Sequence, residues 1–211
     1  MDSSLLMLYI SRLRLQLNDS VVQKALKSIE KNIPLSHILA EVLLYNYLKS
    51  KDYRFVSIEE TVGYMKCDVY AEDDGNSVCI EVETLGIPSE YVLEGLEYLV
   101  AKHVKKIVYA AKSGIHIVSF AYPFGAIPLI PIEFLKEPED RDKENLVKLF
   151  NIVRKYYPLD LEDLSFLKQC TVGDVYIYDI ASMKVVSLTK EKALNLVNFY
   201  LSFFYEDSYK D

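Results

Sequence analysis

The stretch from Lys66 to Thr84 constrains the fold of this chain more than any other. Two β-rich runs, Met65 to Glu72 and Ser77 to Thr84, flank Asp73-Asp74-Gly75-Asn76. A two-residue type I′ turn needs positive φ at both central residues, and Asp-Gly tolerates it, so the stretch reads as a β-hairpin. Its composition is unusual for strands that pack on a core. Asp68 lies in the first run, and Glu81 and Glu83 lie in the second. Side chains alternate along a strand, so Glu81 and Glu83 share a face. Two carboxylates on one apolar face repel each other and lose hydration unless a cation lies between them. A conflict of this kind between composition and burial marks a candidate functional site.

The helix before the hairpin adds a third acid. Ser36 is a candidate N-cap for a helix from His37 to Lys49, and from Ile38 to Leu48 its one charge is Glu41. Leu44, Tyr45 and Leu48 share its face. A lone carboxylate among apolar neighbours needs a partner; the plain alternative is a glutamate at the rim of the buried face, reaching solvent or a lysine. Upstream, Ser3 to Leu17 and Val21 to about Lys31 read as helices. The second carries Lys24, Lys27 and Lys31 as a basic stripe, which reads as a solvated face first and a phosphate-contacting one second.

Downstream of a first strand at Tyr53 to Ile58 and the hairpin, Ser89 can cap a helix from Glu90 to Val104. Lys106 to Ala111 reads as a short apolar strand. Strand, helix and strand at this spacing suggest a right-handed parallel crossover. Ser113 to Phe120 fits a helical period, and Ala126 to Ile132 an edge strand despite Pro128 and Pro131. Then follow an amphipathic helix Glu139 to Tyr157, a short helix Leu161 to Lys168, a second hairpin (Asp174 to Asp179, Lys184 to Leu188) and a last helix, Lys190 to Tyr205. That last helix is apolar nearly all round, so its surface is expected to be buried in the chain or against a partner subunit. These elements divide the chain into an N-terminal helical extension (1–33), a core (34–135) and C-terminal helices with a hairpin (136–211), all in one domain.

Hydrophobic residues make up 51% of the chain, enough for a sizeable core. No apolar run approaches a membrane span and no secretory pattern opens the sequence, so no membrane association is expected. Cys67, Cys79 and Cys170 form no CxxC pair, which argues against a zinc ribbon or disulfide scaffold and for a reducing, cytoplasmic setting. The net charge of −7 speaks against a protein that coats nucleic acid non-specifically. It leaves room for a nuclease, whose catalytic acids add to the negative count. His37, His103 and His116 lack metal-ligand spacing, and there is no phosphate-cradling glycine loop or nucleophile elbow.

The order helix with Glu41, strand, strand with Asp68, strand with Glu81-Val82-Glu83, helix, strand resembles the PD-(D/E)xK nuclease superfamily. It looks most like its archaeal Holliday junction resolvase group, and it is similar to small proteins of spindle-shaped viruses of hot-spring archaea. The likeness covers His37 to Ala111. It implies an α/β fold with a restriction-endonuclease-like αβββαβ core and a mixed central sheet, plus N-terminal helices and a C-terminal helix and hairpin extension. Glu41 matches the family's helix glutamate, Asp68 its aspartate and Glu81 its second acid. Asp68, Glu81 and Glu41 would hold Mg²⁺ or Mn²⁺, which supplies charge neutralisation and an activated water for phosphodiester hydrolysis.

Two positions depart from the pattern. Cys67 stands where the family has proline, and Glu83 stands where it has lysine. A glutamate there can serve as a base or a metal ligand, and at least one restriction endonuclease similar to this family carries Glu-x-Glu. Alternatively a lysine arrives from elsewhere, with Lys66 and Lys102 as candidates, or activity is weak or lost. The resemblance implies an endonuclease acting on branched or structured DNA as a homodimer or higher homo-oligomer. The alternatives are a nuclease-fold DNA-binding or assembly protein without catalysis, and a scaffold with no nucleic-acid role.

Overall fold

The computed structural model describes residues 2–12, 19–84 and 86–206, with side chains given to residue 200. Three helices open the chain: α1 (Asp2–Arg12), α2 (Asp19–Glu30) and α3 (Leu35–Lys49). Then come β1 (Phe55–Val62), β2 (Met65–Asp73), β3 (Asn76–Val82), α4 (Gly95–Lys112) and β4 (Ile117–Pro123). The order α3-β1-β2-β3-α4-β4 is the αβββαβ order expected from the sequence. The remaining elements are α5 (Ile132–Leu135), α6 (Lys143–Tyr156), α7 (Leu164–Gln169), β5 (Thr171–Asp179), β6 (Lys184–Leu188) and α8 (Lys190–Glu206).

All six strands form one sheet in chain order. The three pairs β1–β2, β2–β3 and β5–β6 are antiparallel, while β3–β4 and β4–β5 are parallel. The sheet is therefore mixed. Helix α3 packs one face over Val69, Ala71, Val78 and Ile80, with α2 beside it against β1 and α1 against both helices. The other face is covered by α4, α6 and α7, with Ala193 and Val197 of α8, over Cys79, Phe120 and Val175.

The β2–β3 turn forms as the sequence predicts. Asp73 pairs with Asn76, and Asp74 and Gly75 between them have φ of 44° and 81°. Both values are the left-handed ones a two-residue primed turn demands.

Several expected elements differ. Lys106 to Ala111 is not a strand but the last turns of α4, one unbroken helix of 18 residues. A short apolar run has the same appearance in a buried helix and a buried strand. Here Ala101, Val104, Ile107, Val108 and Ala110 are buried at helical spacing. The helix stops at Gly114, φ 72°, where Gly114 N–H donates to Ala111 and Ile115 N–H to Ala110. That pair of bonds is a Schellman stop. The crossover strand is accordingly β4, so Ser113 to Phe120 is not helical. Ala126 to Ile132 is irregular rather than an edge strand, its prolines lacking the ladder donor, and Pro131 instead opens α5.

Ser36 lies inside the first turn of α3, whose N-cap is Pro34. Ser89 opens a single 3₁₀ turn rather than the long helix, which starts at Gly95. Strand β1 begins at Phe55 and continues to Val62. Helix α6 starts at Lys143, where the Asp142 side chain accepts the Asn145 N–H. Lys24 is not on a free face: its ammonium pairs with Glu60 at 2.6 Å and Ser57 at 2.7 Å, docking α2 on β1. Cys67 and Cys79 are joined by a disulfide, which corrects the expectation of free thiols throughout. They lie 12 residues apart, on opposite arms of the hairpin that brings them together. The expected extension of the first helix to Leu17 lies outside the described residues, as do the side chains of Leu201, Phe203 and Phe204. Among the described residues no helix is long and apolar enough to cross a membrane.

Candidate metal centre

The site grows from a break in the sheet. The β2–β3 backbone ladder ends at Val69 opposite Ile80. The next link between the strands is a side chain: Asp68 Oδ2 accepts the Val82 N–H at 2.7 Å. Strand β2 changes face at this point. Met65 and Cys67 pack towards α4, yet Val69, two residues on from Cys67, packs towards α3. Regular alternation forbids that, so the strand is irregular around Asp68. On the neighbouring strand Glu59 is in the left-handed region, φ 50°. Asp68 thus stands at a gap where groups from both faces of the sheet can reach it.

From the α3 face come His37 and Glu41, one turn apart on the helix. His37 Nε2 is 3.1 Å from Glu41 Oε1 and 3.5 Å from Asp68 Oδ1. The three residues each offer a ligand atom within 4.8 Å of the others. Glu41 is fully buried, and neither of its carboxyl oxygens has a hydrogen-bond partner of acceptable geometry among the described residues. The side chains of His37 and Asp68 keep 16% and 17% of their exposure, so the cluster opens to solvent through them.

From the α4 face come two lysines, met by the Glu-x-Glu pair. Lys106 Nζ is 2.7 Å from Glu81 Oε2 and 2.7 Å from Glu83 Oε1. Lys102 Nζ is 2.8 Å from Glu83 Oε2. Both carboxylates are buried. Glu83 sits past the end of β3 yet is held by its backbone, its N–H donating to Ala121 and its carbonyl accepting from the Tyr178 hydroxyl. Behind it, buried His103 bonds the Leu99 carbonyl through Nδ1 at 2.6 Å, and Nε2 meets the Tyr122 hydroxyl at 2.7 Å.

Electrostatics divides the carboxyls into two kinds. Burial pushes Glu41 up to about 7, against the opposing pull of His37, with Asp68 adding to the rise. Burial likewise raises Glu81 to about 7, opposed by Lys106 and reinforced by Asp68 and Glu83. For Glu83 burial is outweighed by Lys106, His103 and Lys102, which bring it down to about 2. Burial alone would lower His37, but Asp68 and Glu41 raise it to about 10. Burial also disfavours the Lys106 charge, yet Glu81, Glu83 and Asp68 hold it firmly protonated. The centre therefore carries two carboxyls near their neutral point beside fixed cations, so much of its charge is balanced from within.

The structure brings Glu41 and Asp68 together through His37, and Glu81, Glu83 and Lys102 together through Lys106. Asp68 is electrostatically coupled to both groups. Lys66 is elsewhere: it is exposed and pairs with Glu59. Sequence reading missed Lys106 because it placed that residue in a strand. It passed over His37 although His37 and Glu41 stand at i, i+4, a spacing that puts both on one helix face.

No protein-family model matches this chain, and no curated protein matches it. Among solved structures, SfsA of Pyrococcus furiosus in complex with Ca²⁺ aligns over 74% of this chain at 13% identity, with a TM-score of 0.29. The match spans 60% of that chain. Superposition at that level does not equate the two folds.

Proposed function

We propose that the chain is a metal-dependent DNA endonuclease that hydrolyses phosphodiester bonds in branched or structured DNA. The observation that carries this reading is Glu41: a fully buried carboxyl whose near partner is the His37 imidazole at 3.1 Å, out of hydrogen-bond geometry, with Asp68 beyond it. A buried carboxyl so poorly bonded is costly, and a coordinated cation lowers the cost. Glu41, Asp68 and Glu81 would hold Mg²⁺ or Mn²⁺. His37 either joins them as a neutral imidazole or swings aside as the cation enters. An imidazole in the donor set favours Mn²⁺ over Mg²⁺. Bound there, the ion supplies charge neutralisation at the phosphate and lowers the pKa of a water.

The protein's own groups do the rest. Lys106 spends two of its three N–H donors on Glu81 and Glu83, leaving one for the attacking water or a phosphate oxygen. Lys102 adds positive charge at the rim. Glu83, in the position where the resembled family has lysine, holds both lysines in place. The carboxylate at Glu83 thus stands in for lysine indirectly, by anchoring lysines supplied from α4. Paired cuts across a branch need two active sites, so a homodimer or higher homo-oligomer fits this reading.

A second reading has its own observation. Lys102 and Lys106 are both already ion-paired, and His37 already bridges Glu41 and Asp68. A site so neutralised from within also suits a nuclease-fold protein that binds or organises DNA without cutting it. Synthetic four-way junctions, flaps and duplexes incubated with Mg²⁺ or Mn²⁺ separate the two. The first reading expects cleavage that Asp68→Ala and Glu81→Ala abolish. Binding without cleavage favours the second, and identical products from wild type and Asp68→Ala overturn the first.

A further inference from the structure

At the end of the sheet away from the metal centre lies a cavity of about 870 Å³. It is formed where the C-terminal end of α3 overhangs the β2–β3 turn and the strands β5 and β6. Its floor is Tyr176, only 7% exposed. Tyr47 meets Tyr176 edge to face, with ring centroids 5.8 Å apart, and Tyr53 stands beside them. Three carboxylates line the same space: Asp73 and Asp74 from the turn, and Asp174 from β5. The single cation on the wall is Lys51, whose ammonium lies 5.2 Å from the centre of the Tyr47 ring.

Two independent features mark this as more than an acidic patch. The Tyr176 side chain lines the cavity and is more than nine-tenths buried, yet its hydroxyl has no hydrogen-bond partner among the described residues. The ring is buried while the hydroxyl stays open to the cavity, placed to bond a group that enters it. In addition, the aromatic faces and carboxylates point the same way chemically. Tyrosine π-faces attract cations, and carboxylates do so by charge and by accepting N–H bonds. Lys51 shows that an ammonium fits over the Tyr47 face. It offsets one carboxylate of three, which leaves a net of two negative charges. Burial raises the Tyr53 hydroxyl pKa, and Asp174 and Asp73 raise it further, as a field of negative sign requires.

We propose that this cavity binds an aliphatic polyamine, with one ammonium over the tyrosine faces by Asp174 and another at the Asp73–Asp74 rim. Two ammonium groups on a flexible apolar chain match the two uncompensated charges, the aromatic wall and the volume. A phosphate or nucleic-acid ligand is excluded by the sign of the charge. The site is separate from the metal centre: Asp73 is five residues along β2 from Asp68, on the order of 15 Å at strand rise.

Calorimetric titration of the full chain with putrescine and spermidine tests this, in the absence of DNA and divalent ions and at constant ionic strength. Its outcome is therefore independent of any nuclease activity. Saturable binding at one site per chain is expected, with none for uncharged 1,4-butanediol. Asp174→Asn should weaken binding at least tenfold. Lys51→Ala should tighten it several-fold by removing the competing cation, and that opposite sign keeps the test alive if Asp174→Asn does not fold. Glu144→Gln, an equal charge change on the far face, should leave it unchanged. Absence of saturable binding overturns the proposal. So does an equal response to Asp174→Asn and Glu144→Gln, or weaker binding by Lys51→Ala.

Discussion

The ammonium of Lys106 lies 2.7 Å from the Glu83 carboxylate, across 23 residues of sequence. Helix α4 brings them together, and each relies on the other for part of its compensation, Lys106 also meeting Glu81 and Glu83 also meeting Lys102.

That dependence makes the pair testable. Removing one partner of a buried ion pair leaves the other uncompensated and costs about 3–5 kcal/mol. Lys106→Met should therefore lose that order of stability in chemical denaturation. Lys106→Met combined with Glu83→Gln should lose less than the two single changes added together. Strict additivity would show that the ion pair does not couple the two residues.

Glu41 predicts a gain in stability and a loss of metal response from a single substitution. Glu41→Met removes a fully buried, poorly bonded carboxyl and leaves His37 its other counter-charge, Asp68, so metal-free protein should gain about 1–3 kcal/mol. The same change should erase any rise in melting temperature on adding Mn²⁺. A variant that is less stable than wild type without metal would show that Glu41 is satisfied in solution.

His37 sets a pH dependence. Its folded-state pKa is raised to about 10 from an ordinary 6.5. The folded state therefore binds more protons than the unfolded state between those values. The stability it contributes is complete below about pH 6.5 and is lost as pH rises through about 10. Melting curves of metal-free protein between pH 6.5 and 10 should fall with pH, and His37→Gln should flatten that fall. Added Mn²⁺ competes with the imidazolium proton, so its stabilising effect should grow over the same interval.

The Cys67–Cys79 disulfide closes a loop across 12 residues of sequence. Loop-closure entropy assigns such a cross-link about 3 kcal/mol. Dithiothreitol, or Cys67→Ser with Cys79→Ser, should lower stability by that order, while Cys170→Ser should leave the response to reductant unchanged. Equal denaturation midpoints with and without reductant would show that the thiols are unlinked in solution.

The hairpin was readable from the sequence because its information is local: Asp74-Gly75 fixes the turn and alternation fixes the faces of Glu81 and Glu83. The order of elements through β3 was readable for the same reason. Residues 106–111 were not. Ile107-Val108-Tyr109-Ala110-Ala111 suits a strand as well as a helix, and tertiary packing decided between them. A strand there would carry Lys106 away from Glu81. The break at Asp68 was also hidden, since no local signal marks the left-handed Glu59 in the neighbouring strand or the change of face between Cys67 and Val69. The partner of Glu41 was visible at i, i+4, but a histidine one turn away on a helix is common and gave no reason to single it out.

Strands β5 and β6 extend the same sheet that carries the site, although they belong to the C-terminal part of the chain. A truncated chain ending near residue 135 would keep every charged residue of the centre and still lose its support. Strand β4 would become a bare edge in a strongly apolar register, an invitation to pair with a neighbouring molecule. The Tyr178 hydroxyl would no longer hold the Glu83 carbonyl. The smallest working unit of this protein is therefore set by where its sheet can safely end, and that lies well beyond its last catalytic candidate.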